Sequence, residues 1–233
     1  MLTQRVVKYI ADLLPMHCEV CQLPLSKPYP SSGICQHCSQ SFAPLPRCQC
    51  CGLPTVYEVD VCGQCLMQPP SWHRLYCVGD YQAPLSGYVH QLKYERQFWQ
   101  ARKLASLLEP RIDESPQLIT SVPLHWQRQL RRGFNQSELI ARSLSKTLNV
   151  SYSNLFTRVR STAQQQGLTK SQRRRNLDKA FRLTDDVLVA HIAIVDDVVT
   201  TGSTVRHLCQ LLLEAGVNRI DIYCICRTPE PAN

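Results

Sequence analysis

The chain has 233 residues, of which 44% are hydrophobic and 19% charged, and carries a formal net charge of +8. That balance excludes a disordered polymer and allows one ordinary domain plus a small one, with a real core. No apolar run approaches the ~18–20 residues that span a bilayer, so no membrane span is expected.

At the N-terminus Val6, Val7, Ile10, Leu13 and Leu14 are interrupted by Lys8 and Asp12. This is the pattern of an amphipathic helix, not the unbroken apolar core of a signal peptide, and it points to a cytoplasmic protein.

Thirteen cysteines follow this start, and in a cytoplasmic chain they argue for metal over disulfides. Eight fall into four C-x-x-C pairs within 48 residues: Cys18/Cys21, Cys35/Cys38, Cys48/Cys51 and Cys62/Cys65. Each pair places two thiolates along one edge of a tetrahedron, and two pairs close a Cys₄ zinc site. The natural parse is two successive zinc ribbons, Cys18, Cys21, Cys35 and Cys38, then Cys48, Cys51, Cys62 and Cys65. An interleaved pairing uses the same eight ligands. Closed sites of this kind leave no position for water, so both Zn²⁺ ions are expected to be structural. His17 and His37 stand close enough in sequence to replace a thiolate. Cys50, Cys77, Cys209, Cys224 and Cys226 fit small core residues.

Gln68-Pro69-Pro70-Ser71 reads as a linker, dividing a cysteine module at 1–68 from a second domain at 71–233. Beyond it, strands are predicted at 75–81, 118–122, 192–195 and 220–226. Helices are predicted at 85–94, 99–108, 135–148 and 203–215. The 135–148 helix places Leu139, Ile140, Leu144 and Leu148 on one side. In the last helix Val205, Leu208, Leu212 and Ala215 are spaced for one buried face, and Gly216 ends it. The alternation of strand and helix predicts an α/β domain with a mostly parallel sheet flanked by helices.

Charge is concentrated. From Arg158 to Arg182 there are eight basic residues against Asp178 alone, a local charge of +7. Such a segment suits an anionic partner.

The run Ile194 to Thr204, IVDDVVTTGST, follows the apolar strand and enters the last helix. In a parallel sheet, ligands bind off the carboxyl ends of the strands. A loop entering a helix offers backbone N–H groups and partial positive charge to a phosphate. Gly202 permits close approach, and Thr200, Thr201, Ser203 and Thr204 add hydroxyl donors. Asp196 and Asp197 would repel that phosphate but suit a sugar diol or a divalent cation. A 5-phosphoribose reconciles the two halves.

The same run resembles the 5-phosphoribosyl 1-diphosphate (PRPP) motif of type I phosphoribosyltransferases. Over almost the whole chain the sequence resembles the ComF family of bacterial competence and DNA-utilisation proteins, including its GntX-like members. The resemblance rests on the paired C-x-x-C set, Ser121-Val122-Pro123-Leu124, Arg132-Gly133-Phe134-Asn135-Gln136, the run Gln165…Leu168…Arg173…Asn176…Ala180-Phe181, and IVDDVVTTGST.

It implies a type I phosphoribosyltransferase-like domain behind a small double zinc-ribbon-like module. It implies that Asp196 and Asp197 hold the ribose diol and that Thr200, Thr201, Gly202, Ser203 and Thr204 hold the 5-phosphate, with Mg²⁺ accompanying PRPP. Arg131 or Arg132 would face pyrophosphate. Gln165, Arg173 and Asn176 would lie on a loop closing over the substrate. Two functions follow. One is phosphoribosyl transfer to an acceptor with pyrophosphate release, linked to DNA uptake or utilisation. The other is a non-catalytic PRPP- or single-stranded-DNA-binding module working with DNA-uptake proteins, in which Arg128, Arg131 and Arg132 track a backbone and Trp99 or Trp126 stacks. Core packing is the preferred role for those two tryptophans.

Overall fold

We describe a computed structural model, for residues 16–30, 33–124, 126–159 and 180–228. The expected N-terminal helix and the loop candidates Gln165, Arg173 and Asn176 lie outside these residues. By contacts the chain forms two compact units, Met1–Ala43 and Pro44–Asn233.

Each unit contains the same cysteine knuckle, C-x-x-C-x-L-P. In the first, Gln22 N–H donates to Cys18 O at 2.8 Å and Cys18 N–H to Leu23 O at 2.8 Å. In the second, Gly52 N–H donates to Cys48 O at 2.8 Å and Cys48 N–H to Leu53 O at 3.0 Å. The turn requires a left-handed residue after its second cysteine, and Gln22 (φ 61°) and Gly52 (φ 71°) both adopt it. Glycine does so freely, whereas glutamine does so under strain. A short helix follows each knuckle, α1 (Gln36–Ser39) and α2 (Gly63–Met67).

The larger unit is built on a five-stranded parallel sheet: β1 (Arg74–Gly79), β2 (Leu118–Ser121), β3 (Ser151–Tyr152), β6 (His191–Val199) and β7 (Arg219–Arg227), in the order β1-β7-β6-β2-β3. The central strands are buried almost throughout, as a sheet covered on both faces requires. Ile192, Ile194, Ile220 and Ile222 are completely buried. Each contributes roughly 1.5–3 kcal/mol of burial.

One face is covered by α7 (Ser203–Glu214) through Val205, Leu208, Cys209 and Leu212. Phe156 and Phe181 join the same cluster from a small antiparallel pair, β4 (Phe156–Arg158) and β5 (Phe181–Leu183). These two strands are the ends of the basic segment. The alternate strand residues, Tyr223 and Ile225 among them, turn to the other face. There α3 (Leu85–Tyr94), α4 (Trp99–Leu108) and α6 (Gln136–Leu148) pack together and against the sheet. Helix α5 (Trp126–Arg132) precedes α6. Asn135 caps α6 by accepting from Ser137 N–H at 3.1 Å, and its amide donates to Val122 O at 3.0 Å, tying the helix start to the end of β2.

Three expectations are corrected. The strand predicted at 192–195 runs on to Val199, because Asp196, Val198 and Val199 continue the ladder with Cys224, Cys226 and Arg227. Ala215 is exposed at the C-cap of α7, since the helix stops one residue earlier. Trp99 and Trp126 are 66% and 56% exposed, so neither is a core residue; Trp72 is the buried tryptophan, at 7%. Among the described residues no helix is long and apolar enough to cross a membrane.

Candidate functional site

The carboxyl end of β6 carries both acids, and each is held by a different helix. Asp196 Oδ1 accepts from Ser137 Oγ, at the start of α6, at 3.0 Å, and from Asp197 N–H at 2.9 Å. Asp197 Oδ2 lies 2.6 Å from the ammonium of Lys93 on α3, and its Oδ1 accepts from Val198 N–H at 2.8 Å. Burial and the neighbouring Asp197 charge push the Asp196 carboxyl up to about 7; Lys93, Ser137 and the Asp197 N–H offset part of this. Burial alone would lower the pKa of Lys93, but the charges of Asp197 and Asp196 prevail and raise it.

After β6 the backbone turns through Thr200 and Thr201 to Gly202, which takes a φ of 71° and starts α7. A Cβ at Gly202 would stand 2.9 Å from Cη2 of Trp72, so the position is closed to larger residues by conformation and by space. Thr201 Oγ1 and Ser203 Oγ lie 2.6 Å apart, and Ser203 N–H donates to Thr201 Oγ1 at 3.3 Å. Asp196 and residues 198–205 line one shallow, mostly polar pocket. Its chemistry is divided as the residue types require: hydroxyls and a helix N-terminus on one side, a carboxylate on the other.

Arg132 and Arg131 close α5. Arg132 donates to Gln136 Oε1 at 2.6 Å and lies over the Tyr94 ring at 5.3 Å, while Arg131 is exposed. Lys93, Ser137, Trp72 and Arg227 escaped the sequence reading.

The cysteines gather as two successive quartets. The sulfurs of Cys18, Cys21, Cys35 and Cys38 lie within 4.8 Å of one another, as do those of Cys48, Cys51, Cys62 and Cys65. Cys21 and Cys35 are 3.9 Å apart and Cys51 and Cys62 are 3.8 Å apart. A tetrahedron with Zn–S bonds of ~2.3 Å has edges of about 3.8 Å, so both donor sets fit a metal such as zinc. Backbone N–H groups aim at the sulfurs: Cys35 N–H at Cys18 Sγ (3.3 Å) and Cys62 N–H at Cys48 Sγ (3.2 Å). Burial would raise the Cys18 thiol, yet N–H donors from Cys21, Cys35 and Val20 bring it down to about 6. Neither His17 nor His37 joins a quartet.

The second quartet is fastened to the sheet. Leu75 N–H donates to Gln49 O at 2.9 Å, Trp72 Nε1–H to Cys50 O at 2.8 Å, and Arg227 Nε–H to Cys51 O at 2.8 Å.

The phosphoribosyl transferase domain family matches residues 130–233. The DNA utilization protein YhgH of Salmonella typhimurium is 43% identical over 225 residues, covering 92% of this chain and 98% of that protein. YhgH of Escherichia coli K12 matches to the same extent. Competence protein F of Haemophilus influenzae is 36% identical over 208 residues, 84% of this chain and 91% of its own. With a phosphoribosyl transferase domain on a parallel sheet, two four-cysteine clusters, and identity along most of its length, the chain belongs to the ComF family.

Proposed function

We propose that the protein binds PRPP, its 5-phosphate on the Thr200–Thr204 loop and its ribose diol on Asp196 and Asp197, and transfers the phosphoribosyl group to an acceptor with release of pyrophosphate. The observation that carries this is one pocket in which a glycine-started helix N-terminus adjoins the half-buried carboxylate of Asp196, with the buried Asp197 next to it in the chain. Among the described residues no third acid or histidine joins Asp196 and Asp197 in a metal cage. That suits Mg²⁺, which is held by few carboxylates and otherwise by water and substrate phosphates. Two Zn²⁺ ions would close the cysteine quartets. Breaking the C1–pyrophosphate bond builds positive charge on the sugar, so the chain's tasks are to neutralise the leaving group, the role proposed for Arg131 or Arg132, and to exclude water.

The relatives' names, DNA utilization protein and competence protein, support a link between this activity and DNA uptake or utilisation. A second reading, a non-catalytic module for PRPP or single-stranded DNA, is favoured by the exposed Trp99 and Trp126, which offer ring faces to bases, and by the net charge of +8. Incubation with PRPP, Mg²⁺ and candidate acceptors separates the two: pyrophosphate appears under the first. Calorimetry showing no PRPP binding at millimolar ligand with Mg²⁺ would overturn both PRPP readings.

A further inference from the structure

We propose that Arg227 and Trp72 are positioning residues that make the conformation of the Thr200–Gly202 loop depend on the Cys48/Cys51/Cys62/Cys65 quartet. Arg227 is the last residue of β7, pairs with Val199, and is 7% exposed. A guanidinium that deeply buried must spend its donors on the protein. Its Nε–H reaches Cys51 O in the knuckle at 2.8 Å. Its Nη1 reaches Val199 O at 3.2 Å, Thr200 O, and Thr228 O at 2.5 Å. One side chain therefore joins the backbone of the Cys48/Cys51 knuckle to the first residue of the loop.

Trp72 makes the second link. Its Nε1–H donates to Cys50 O at 2.8 Å, and the far edge of its ring fills the space a Cβ would take at Gly202. Arg206 of α7 lies over the same ring at 5.6 Å, so the tryptophan is held between the knuckle and the first turns of the helix. Thr200 and Gly202, the two ends of the turn, are each seated on an anchor whose other end is a knuckle carbonyl.

Those carbonyls are where they are because the quartet is closed. Without a cation nothing bonds the four converging sulfurs to one another, and structural zinc sites of this size hold their fold only when loaded. If the second quartet opens, Cys50 O and Cys51 O move. Arg227 then loses its Nε acceptor while buried, which is costly, and its cheapest remedy is to shift away from the loop. The consequence is a second cysteine cluster that sets the affinity of the phosphate site, in addition to stabilising a fold. This rests on the reading of the loop as a phosphate site only for its effect on affinity; the mechanical coupling stands apart from it.

The test uses the full-length protein, with amide hydrogen exchange of the 199–204 segment without ligand, zinc content, and calorimetry with PRPP and Mg²⁺. Cys62→Ser, opening the second quartet, should raise exchange at 199–204 at least tenfold while the 220–225 strand keeps its protection. PRPP affinity should fall tenfold or more. Cys21→Ser, which opens the quartet of the other compact unit, should leave 199–204 within twofold of wild type. Arg227→Met should reproduce the exchange of Cys62→Ser while retaining zinc. Should Arg227→Met not fold, Trp72→Phe, which removes the donor to Cys50 O and keeps a ring, takes its place. Unchanged exchange at 199–204 in Cys62→Ser, or an equal rise in Cys21→Ser, overturns the coupling. A wild type that binds no PRPP but shows the exchange pattern upholds the coupling and overturns the phosphate reading instead.

Discussion

Lys93 Nζ stands 2.6 Å from Asp197 Oδ2, and the two side chains are only 17% and 7% exposed. The ammonium is the sole charge compensating two adjacent carboxylates among the ion pairs of the described residues at this end of the sheet. Removing one partner of a buried pair costs ~3–5 kcal/mol, because the other is left charged and desolvated. Lys93→Met should therefore lower the melting temperature strongly at pH 8. The loss should be smaller at pH 5, where Asp196 is protonated and the pair carries one charge less. Thermal melts at the two pH values check this. The double variant Lys93→Met/Asp197→Asn should recover part of the loss, since it removes the stranded charge.

Elemental analysis should give two zinc ions per chain, one for each quartet. Structural zinc contributes ~10–16 kcal/mol in small peptides, so Cys18→Ser or Cys51→Ser, each removing one ligand from a closed site, should lower both metal content and melting temperature. Full metal content with a normal melt in either variant would remove the structural role.

Gly202→Ala places a side chain where φ is 71° and where Cη2 of Trp72 stands 2.9 Å away. The left-handed conformation alone costs ~1–2 kcal/mol, and the rigid indole cannot swing aside without releasing Cys50 O. We expect a drop in melting temperature and a tenfold or greater loss of ribose 5-phosphate affinity by calorimetry. Trp72→Phe in the same chain should return stability relative to Gly202→Ala alone, because the smaller ring leaves space for the methyl.

Much of this architecture was legible in the sequence where one physical signal dominates. Helices α3 and α4 begin and end where they are predicted, Leu85 to Tyr94 and Trp99 to Leu108. The cysteine quartets group as the C-x-x-C order suggests. What escaped is non-local or short. β3 has two residues and β4 and β5 three each, too few for any periodicity to register. β6 outruns its apolar stretch because a neighbouring strand continues the ladder past the acids. Lys93 meets Asp197, and Arg227 meets Cys51, only once the sheet brings distant segments together; no spacing along the chain encodes either pair. The exposed Trp99 and Trp126 defeat the prior that large aromatics are buried.

Asp196 gives the sharpest test, because it sets stability against binding. Its carboxyl is raised from the ordinary 3.8 to about 7, chiefly by burial and then by Asp197. Between these two values the folded protein holds a proton that the unfolded chain releases, so this group's contribution to stability falls as pH rises from about 4 to 7. Asp196→Asn removes that liability and keeps an oxygen for the Ser137 hydroxyl and the Asp197 N–H. At pH 8 the variant should melt at or above the wild-type temperature. Ligand binding should move the other way. A carboxylate accepting a sugar hydroxyl is worth ~1.5–3 kcal/mol, so losing its charge should weaken PRPP binding roughly 10- to 150-fold at pH 8. The same logic fixes the pH profile. Binding needs the ionised carboxyl, so wild-type affinity should fall about tenfold per pH unit below pH 7, whereas Asp196→Asn retains only the dependence due to the titration of PRPP itself. Calorimetry of both proteins from pH 5.5 to 8.5 measures the difference. Parallel profiles in wild type and variant would show that Asp196 does not touch the ligand.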